Sequence, residues 1–104
     1  MKTTDKIRKQ LAENAIILYM KGTPTAPQCG FSSKAVAVLK ETGIDYAYID
    51  VLNAPMIRQA LPEVSEFPTF PQLFIKGELV GGSDIIEAMY QSGELKPMME
   101  AAKG

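Results

Sequence analysis

The sequence has no histidine and one cysteine, Cys29, in 104 residues. Without histidine there is no Ser-His-Asp or Cys-His catalytic machine. With one cysteine there is no intramolecular disulfide and no four-cysteine metal site within one chain. Neither charge sign dominates: 11 basic residues face 12 acidic ones, a net charge of −1. There is thus no overall basic field, and no nucleic-acid partner is expected. No apolar run approaches the roughly 20 residues of a membrane-crossing helix. The longest, Ala15-Ile16-Ile17-Leu18-Tyr19-Met20, reads as a buried strand, and no membrane partner is expected. The opening Met1-Lys2-Thr3-Thr4-Asp5-Lys6 has no apolar h-region, so no secretory signal is expected. An unpaired cysteine without such a signal points to a reducing compartment, most simply the cytoplasm. The remaining chemistry must use one thiol, carboxylates, lysines, arginines or a borrowed group.

What is present suits one domain spanning residues 1–104. The chain is 46% apolar and 22% charged, enough for a core without disulfide or metal staples. Composition does not shift along it, and there is no repeat or low-complexity tract. Ile7, Leu11 and Ala12 recur at helical spacing up to Asn14, and Ile16–Met20 follows as a strand. Lys21–Gln28, with one glycine and two prolines, reads as loop. Ser32–Thr42 reads as a helix burying Ala35, Val36, Val38 and Leu39, stopped by Gly43. Tyr46–Val51 alternates as a strand. Asn53 suits an N-cap, and Met56, Ile57, Ala60 and Leu61 form a stripe that Pro62 is expected to end. Phe67-Pro68-Thr69-Phe70-Pro71 is extended. Gln72–Ile75 and Glu78–Val80 form a hairpin about Lys76-Gly77. After Gly81-Gly82 comes a helix with Ile85, Ile86, Met89 and Tyr90 inward, ended by Gly93. A last short helix turns Leu95, Met98 and Met99 inward. The order α-β-α-β-α-β-β-α-α gives a right-handed parallel crossover plus a hairpin. An α/β fold follows: a small four-stranded mixed sheet with helices on both faces.

Cys29 falls where the Pro-rich loop enters a helix. There a thiol faces unpaired backbone N–H groups and the positive end of the helix dipole, which favours thiolate. Lys21, at the end of the preceding strand, adds positive charge on the same sheet edge. A lone cysteine is commonly an inert core residue, but Gln28, Gly30 and Ser32 are small or polar neighbours and favour an exposed, working thiol.

Cys29-Gly30-Phe31-Ser32 resembles the active-site motif of the monothiol (CGFS-type) glutaredoxins. Lys21-Gly22-Thr23-Pro24, Phe67-Pro68-Thr69-Phe70-Pro71-Gln72 and Gly81-Gly82-Ser83-Asp84 resemble that family too, in the right order and spacing. The resemblance covers essentially the whole chain, as a single-domain, bacterial-type member. It implies the thioredoxin fold, with which the element order agrees. It further implies that Cys29 ligates a [2Fe-2S] cluster and forms a mixed disulfide with glutathione. Lys21 and Arg58 would reach glutathione carboxylates, although Arg58 alone would read as an ordinary exposed helix charge. Thr69-Phe70-Pro71, with a cis proline, would pair its backbone with the cysteinyl unit of glutathione. Gly82, Ser83 and Asp84 would hold the γ-glutamyl end, since free N–H groups suit a carboxylate and Asp84 suits an ammonium. Asp84 with Glu87 also reads as a capping box.

Two positions depart from the family pattern. Phe67-Pro68 stands where many members have Trp-Pro, which keeps the aromatic. Ser83 stands where some have a second cysteine, which removes any resolving thiol.

A [2Fe-2S] cluster commonly takes four thiolates, and one chain supplies one. Two chains and two glutathiones complete the set, so the resemblance implies a glutathione-bridged homodimer. It also implies a BolA-like partner, and apo iron–sulfur proteins as recipients. The alternative activity is glutathione-dependent thiol–disulfide exchange by a monothiol route, for which one thiol suffices. In relatives with a longer loop before the cysteine, as Gly22–Gln28 is here, that activity is weak.

Overall fold

The computed structural model describes residues 2–104; Met1, the first residue of the opening stretch, lies outside them. The elements are α1 (Thr3–Glu13), β1 (Ile16–Met20), β2 (Gly22–Thr23), β3 (Ala26–Pro27), α2 (Gly30–Thr42), β4 (Ala47–Asp50), α3 (Pro55–Ser65), β5 (Gln72–Ile75), β6 (Glu78–Gly81), α4 (Ser83–Ser92) and α5 (Leu95–Lys103). The main sheet has the order β4-β1-β5-β6. β1 runs parallel to β4 and antiparallel to β5, and β5 and β6 form the hairpin. Lys76 (φ 52°) and Gly77 (φ 78°) make its two-residue turn. Left-handed backbone at both central residues matches the twist of the paired strands.

β1 is buried at all five positions, because helices cover both faces of the sheet. Alternation sends Ile16, Leu18 and Met20 to one face, against Ala35 and Leu39 of α2, Ile86 of α4 and Leu95 and Met99 of α5. Ile17 and Tyr19 face the other way, with Ile7 of α1 and Ile57 and Leu61 of α3. Tyr19 is fully buried, donates its hydroxyl to Gln10 Oε1 at 2.8 Å and meets the Phe74 ring edge-on at 5.6 Å. Burial holds its phenol well above the usual tyrosine range.

Several sequence expectations change. Lys21–Gln28 is not all loop: Gly22 and Thr23 pair with Pro27 and Ala26 in a two-strand ladder. The cause is Gly22, whose φ of 90° lets the chain fold back on itself. A Cβ there would lie 2.5 Å from the Ala26 carbonyl oxygen. α2 starts at Gly30 rather than Ser32. α3 runs through Pro62 to Ser65 and stops at Glu66, which adopts left-handed backbone. A proline deletes one ladder bond, and the buried Ile57 and Leu61 anchor the helix despite that loss. Asn53 does not cap α3, whose N-cap is Ala54; its amide donates to Asp50 Oδ2 at 3.0 Å. Pro55 at the first helical position leaves one fewer N–H to cap. Asp84 and Glu87 form no capping box, because α4 has Gly82 as N-cap with no side-chain bond. Both carboxylates turn to Lys34 of α2, at 3.4 and 3.2 Å. Met56, Ile85 and Met98 are exposed rather than inward, and Ala12 is exposed as well.

Leu18 lies at the centre of the larger core cluster with no exposed surface. Leu18→Ala is expected to cost about 2–5 kcal/mol of stability. Urea denaturation should show a lower midpoint with an unchanged slope.

Candidate active site

All four main strands present one end to the same edge of the molecule: the C-termini of β1, β4 and β6 and the N-terminus of β5. A cleft of about 670 Å³ opens at that edge, within the ~300–1,000 Å³ usual for small-ligand sites. Lys21, Cys29, Arg58, Thr69, Phe70, Pro71, Gly82, Ser83 and Asp84 all line it. The structure thus brings together every site residue expected from sequence, from five separate segments.

Each segment is held by identifiable bonds. Lys21 leaves β1, and its backbone N–H donates to Ser32 Oγ at 3.1 Å, tying it to the first turn of α2. Ser32 is fully buried. The Lys21 carbonyl accepts from Gln28 N–H at 2.9 Å, closing the β2–β3 excursion just before Cys29. Asp50, at the end of β4, accepts through Oδ1 from the N–H groups of Gly22 and Leu52, each at 2.9 Å. It fixes both the loop before Cys29 and the turn leading to α3. Arg58 stands exposed on the first turns of α3. Among the described residues, no carboxylate lies within ion-pair distance of Lys21 or Arg58. Both cations are available to an anionic ligand.

The opposite wall is Phe67–Pro71 and the Gly81–Asp84 turn. The Phe70-Pro71 peptide bond is cis. Phe70 lines the cleft and belongs to the core cluster that holds Ile57 and Leu61. Gly82 packs closely on this wall: a Cβ there would lie 3.2 Å from Phe67 Cζ and 3.3 Å from the Pro71 carbonyl oxygen. Gly81 (φ 147°) turns the chain, and a Cβ there would meet Ile85 at 2.7 Å. Five further residues line the cleft that were not expected at the site: Phe31, Phe67 and Pro68, which stand within the quoted motifs, and Pro62 and Ile85, which read as helix features. Phe31 and Ile85 are 62% and 44% exposed, and together they make an apolar rim. Helical spacing predicts Ile85 in the core; it lies instead exposed at the rim, packed over Gly81 where a Cβ would meet it.

Cys29 is the N-cap of α2, with extended backbone (φ −153°, ψ 140°), and is half-buried. Its thiol pKa is lowered. The backbone N–H of Ser32 contributes most, ahead of the Phe31 N–H, the Lys21 charge and the Ser32 hydroxyl, while partial burial opposes them. The helix start therefore does more than the lysine. Since the folded pKa lies below the unfolded one, the thiolate adds stability above the unfolded value. That contribution fades as pH falls through the folded value. Alkylation rate against pH should give a midpoint below the roughly 8.5 of a free cysteine. Lys21→Ala should raise that midpoint without restoring the free value. A native midpoint at the free value, or full restoration in the variant, would overturn this ordering.

Comparisons with known proteins agree with this geometry. A family model described as glutaredoxin matches residues 16–80. The probable monothiol glutaredoxin GrlA of Legionella pneumophila is 60% identical over 86 residues, covering 83% of this chain and 97% of that one. Glutaredoxin 4 of Escherichia coli is 53% identical over 98 residues, covering 94% and 85%. The solution structure of reduced poplar apo GrxS14 superposes with a TM-score of 0.80 at 41% identity, covering 96% and 92%. The thioredoxin-like architecture, the cleft and these matches together place the chain in the glutaredoxin family, on its monothiol branch.

Proposed function

We propose that the chain binds glutathione in this cleft and carries a labile [2Fe-2S] cluster as cargo between two copies of itself, delivering it to apo iron–sulfur proteins. One observation carries the reading. A single thiol of lowered pKa lines a cleft whose walls offer two cations without a carboxylate partner among the described residues, an extended backbone segment and a helix N-terminus. Glutathione has two carboxylates, one ammonium and one thiol, and each has a counterpart there. Lys21 and Arg58 suit one carboxylate, and the Gly82–Ser83 turn at the start of α4 suits the other. Asp84 suits the ammonium, exchanging its Lys34 contact for it. The Thr69–Phe70 backbone suits the central peptide unit.

The donor set is consistent with shared ligation of a cluster. Among the described residues, no group of three or more histidine, cysteine, aspartate or glutamate side chains is placed to hold a metal ion. A cluster that needs about four thiolates would take one from Cys29, one from glutathione, and the same pair from a second chain. Glutathione held only by non-covalent contacts makes such cargo easy to release. A BolA-like protein in place of one copy would fit the same half-site logic. A cytoplasmic setting, where glutathione keeps thiols reduced, suits the free Cys29.

The lowered thiol pKa also favours a second reading, protein deglutathionylation. The Cys29 thiolate attacks the glutathione sulfur of a mixed disulfide and the protein thiolate leaves. A second glutathione then reduces the Cys29 adduct and departs as glutathione disulfide.

Anaerobic addition of iron, sulfide and glutathione should give a coloured dimer that reverts to colourless monomer when glutathione is removed. Cys29→Ser should give neither colour nor dimer. Absorption spectroscopy with size-exclusion chromatography reads both. A colourless monomer that rapidly deglutathionylates a protein substrate would reject the carrier role and leave the second reading.

A further inference from the structure

Gln72 is a fully buried polar residue at the start of β5. It pairs in register with Tyr19 and shares a face with Phe74. The hydrophobic cluster to which Tyr19 and Phe74 belong also holds Phe70, Ile57 and Leu61, and an apolar side chain on that face would serve packing better. Its amide nitrogen donates to two backbone carbonyls, Phe67 at 2.8 Å and Thr69 at 3.0 Å. Its Oε1 is buried without a partner among the described residues. The amide orientation is fixed: turning it over would set Oε1 against two carbonyl oxygens and leave the NH₂ unpaired. An unpaired buried acceptor costs stability, and what the amide gives in exchange is two bonds to one loop.

That loop is a wall of the cleft. The two carbonyls flank Pro68, and the segment continues into the Thr69–Phe70 backbone. Gly82 packs against Phe67 and the Pro71 carbonyl. A shift of the loop therefore moves the Thr69–Phe70 segment and the Gly82–Ser83 turn together. Gln72 itself does not line the cleft.

We propose that Gln72 is a positioning residue for glutathione: its amide sets the height of the Thr69–Phe70 backbone and the spacing between the two parts of that wall. The proposal rests on the glutathione reading above. It assigns to a buried side chain a control over binding that none of the lining residues supplies.

The test uses the full chain in buffers of fixed glutathione to glutathione disulfide ratio. The Cys29 thiolate attacks the disulfide, one S–S bond forms at Cys29, the old one breaks, and glutathione thiolate leaves. Mass spectrometry gives the equilibrium fraction of the Cys29 adduct, pH-dependent alkylation the Cys29 pKa, and a thermal melt the folding. Gln72→Met should stay folded, leave the Cys29 pKa unmoved and lower the adduct equilibrium constant at least about tenfold. Gln72→Glu, of the same shape, keeps the test decisive should the methionine variant not fold. Its constant, taken relative to the native chain at each pH, should recover as pH falls and the carboxyl regains a proton to donate. A lower melting temperature with a native adduct constant would make Gln72 merely structural and overturn the proposal, as would a pH-independent loss in Gln72→Glu. A native chain whose adduct constant only matches that of a free cysteine peptide would overturn the glutathione reading itself, and this one with it.

Discussion

The burial of β1 on both faces is the constraint from which the rest of the molecule follows. Its five consecutive buried residues are satisfied by partner strands on both edges and helices on both sides. Its parallel neighbour β4 and antiparallel neighbour β5 then bring their functional ends beside its own. Met20, Asp50, Gln72 and Gly81 all lie at that end, and each is followed or preceded by a segment of the cleft. The site is thus a consequence of strand direction. Loops leaving one end of a sheet whose body is fully packed are the available place for a ligand.

Such loops would wander if only their ends were fixed. Three polar side chains prevent this, none of which needs to meet a ligand. Ser32 holds the Lys21 backbone, Asp50 holds Gly22 and Leu52, and Gln72 holds Phe67 and Thr69. Each spans from a regular element to an irregular one. Ser32 also contributes its backbone N–H and its hydroxyl to the lowered Cys29 pKa, so the residue that positions the lysine also prepares the thiol. A chain without histidine thereby activates its cysteine with main-chain groups, which carry no charge of their own to titrate.

The parts of this arrangement legible in the sequence are those written in local chemistry. Cys29 before a helix start, the Lys76-Gly77 turn and the apolar alternation of β1 are each decided by a few adjacent residues. The fold class followed from their order. What was not legible depends on three-dimensional packing and on backbone directions that no local pattern records. Ile85 obeys helical spacing, yet it lies exposed over Gly81 and lines the cleft. Asp84 and Glu87 have the spacing of a capping box, yet Lys34, fifty residues earlier than Asp84, draws both away. Pro62 has the strongest local signal for a helix end, and the packing of Ile57 and Leu61 overrides it. Gln72 carries no local signal at all, because its partners are carbonyls that sequence cannot place.

The Lys34 contacts show how closely cleft and scaffold are joined. Lys34 of α2 lies five residues beyond Cys29, and Asp84 is in the first turn of α4, which packs directly on α2. Glu87 and Asp84 both raise the Lys34 pKa, Glu87 the more. Lys34 is 41% exposed and its bridges to both carboxylates are solvated, so they add little to stability. Their consequence is positional. With Glu87 also in contact, Lys34 keeps a partner when Asp84 turns toward another cation. In the proposed function that cation is the ammonium of glutathione, and the exchange proceeds without stranding a charge. A capping role for Asp84 would have tied its carboxylate to the backbone of its own helix. The observed pairing leaves it exposed at the rim, free of its own helix's backbone, as the proposed exchange requires.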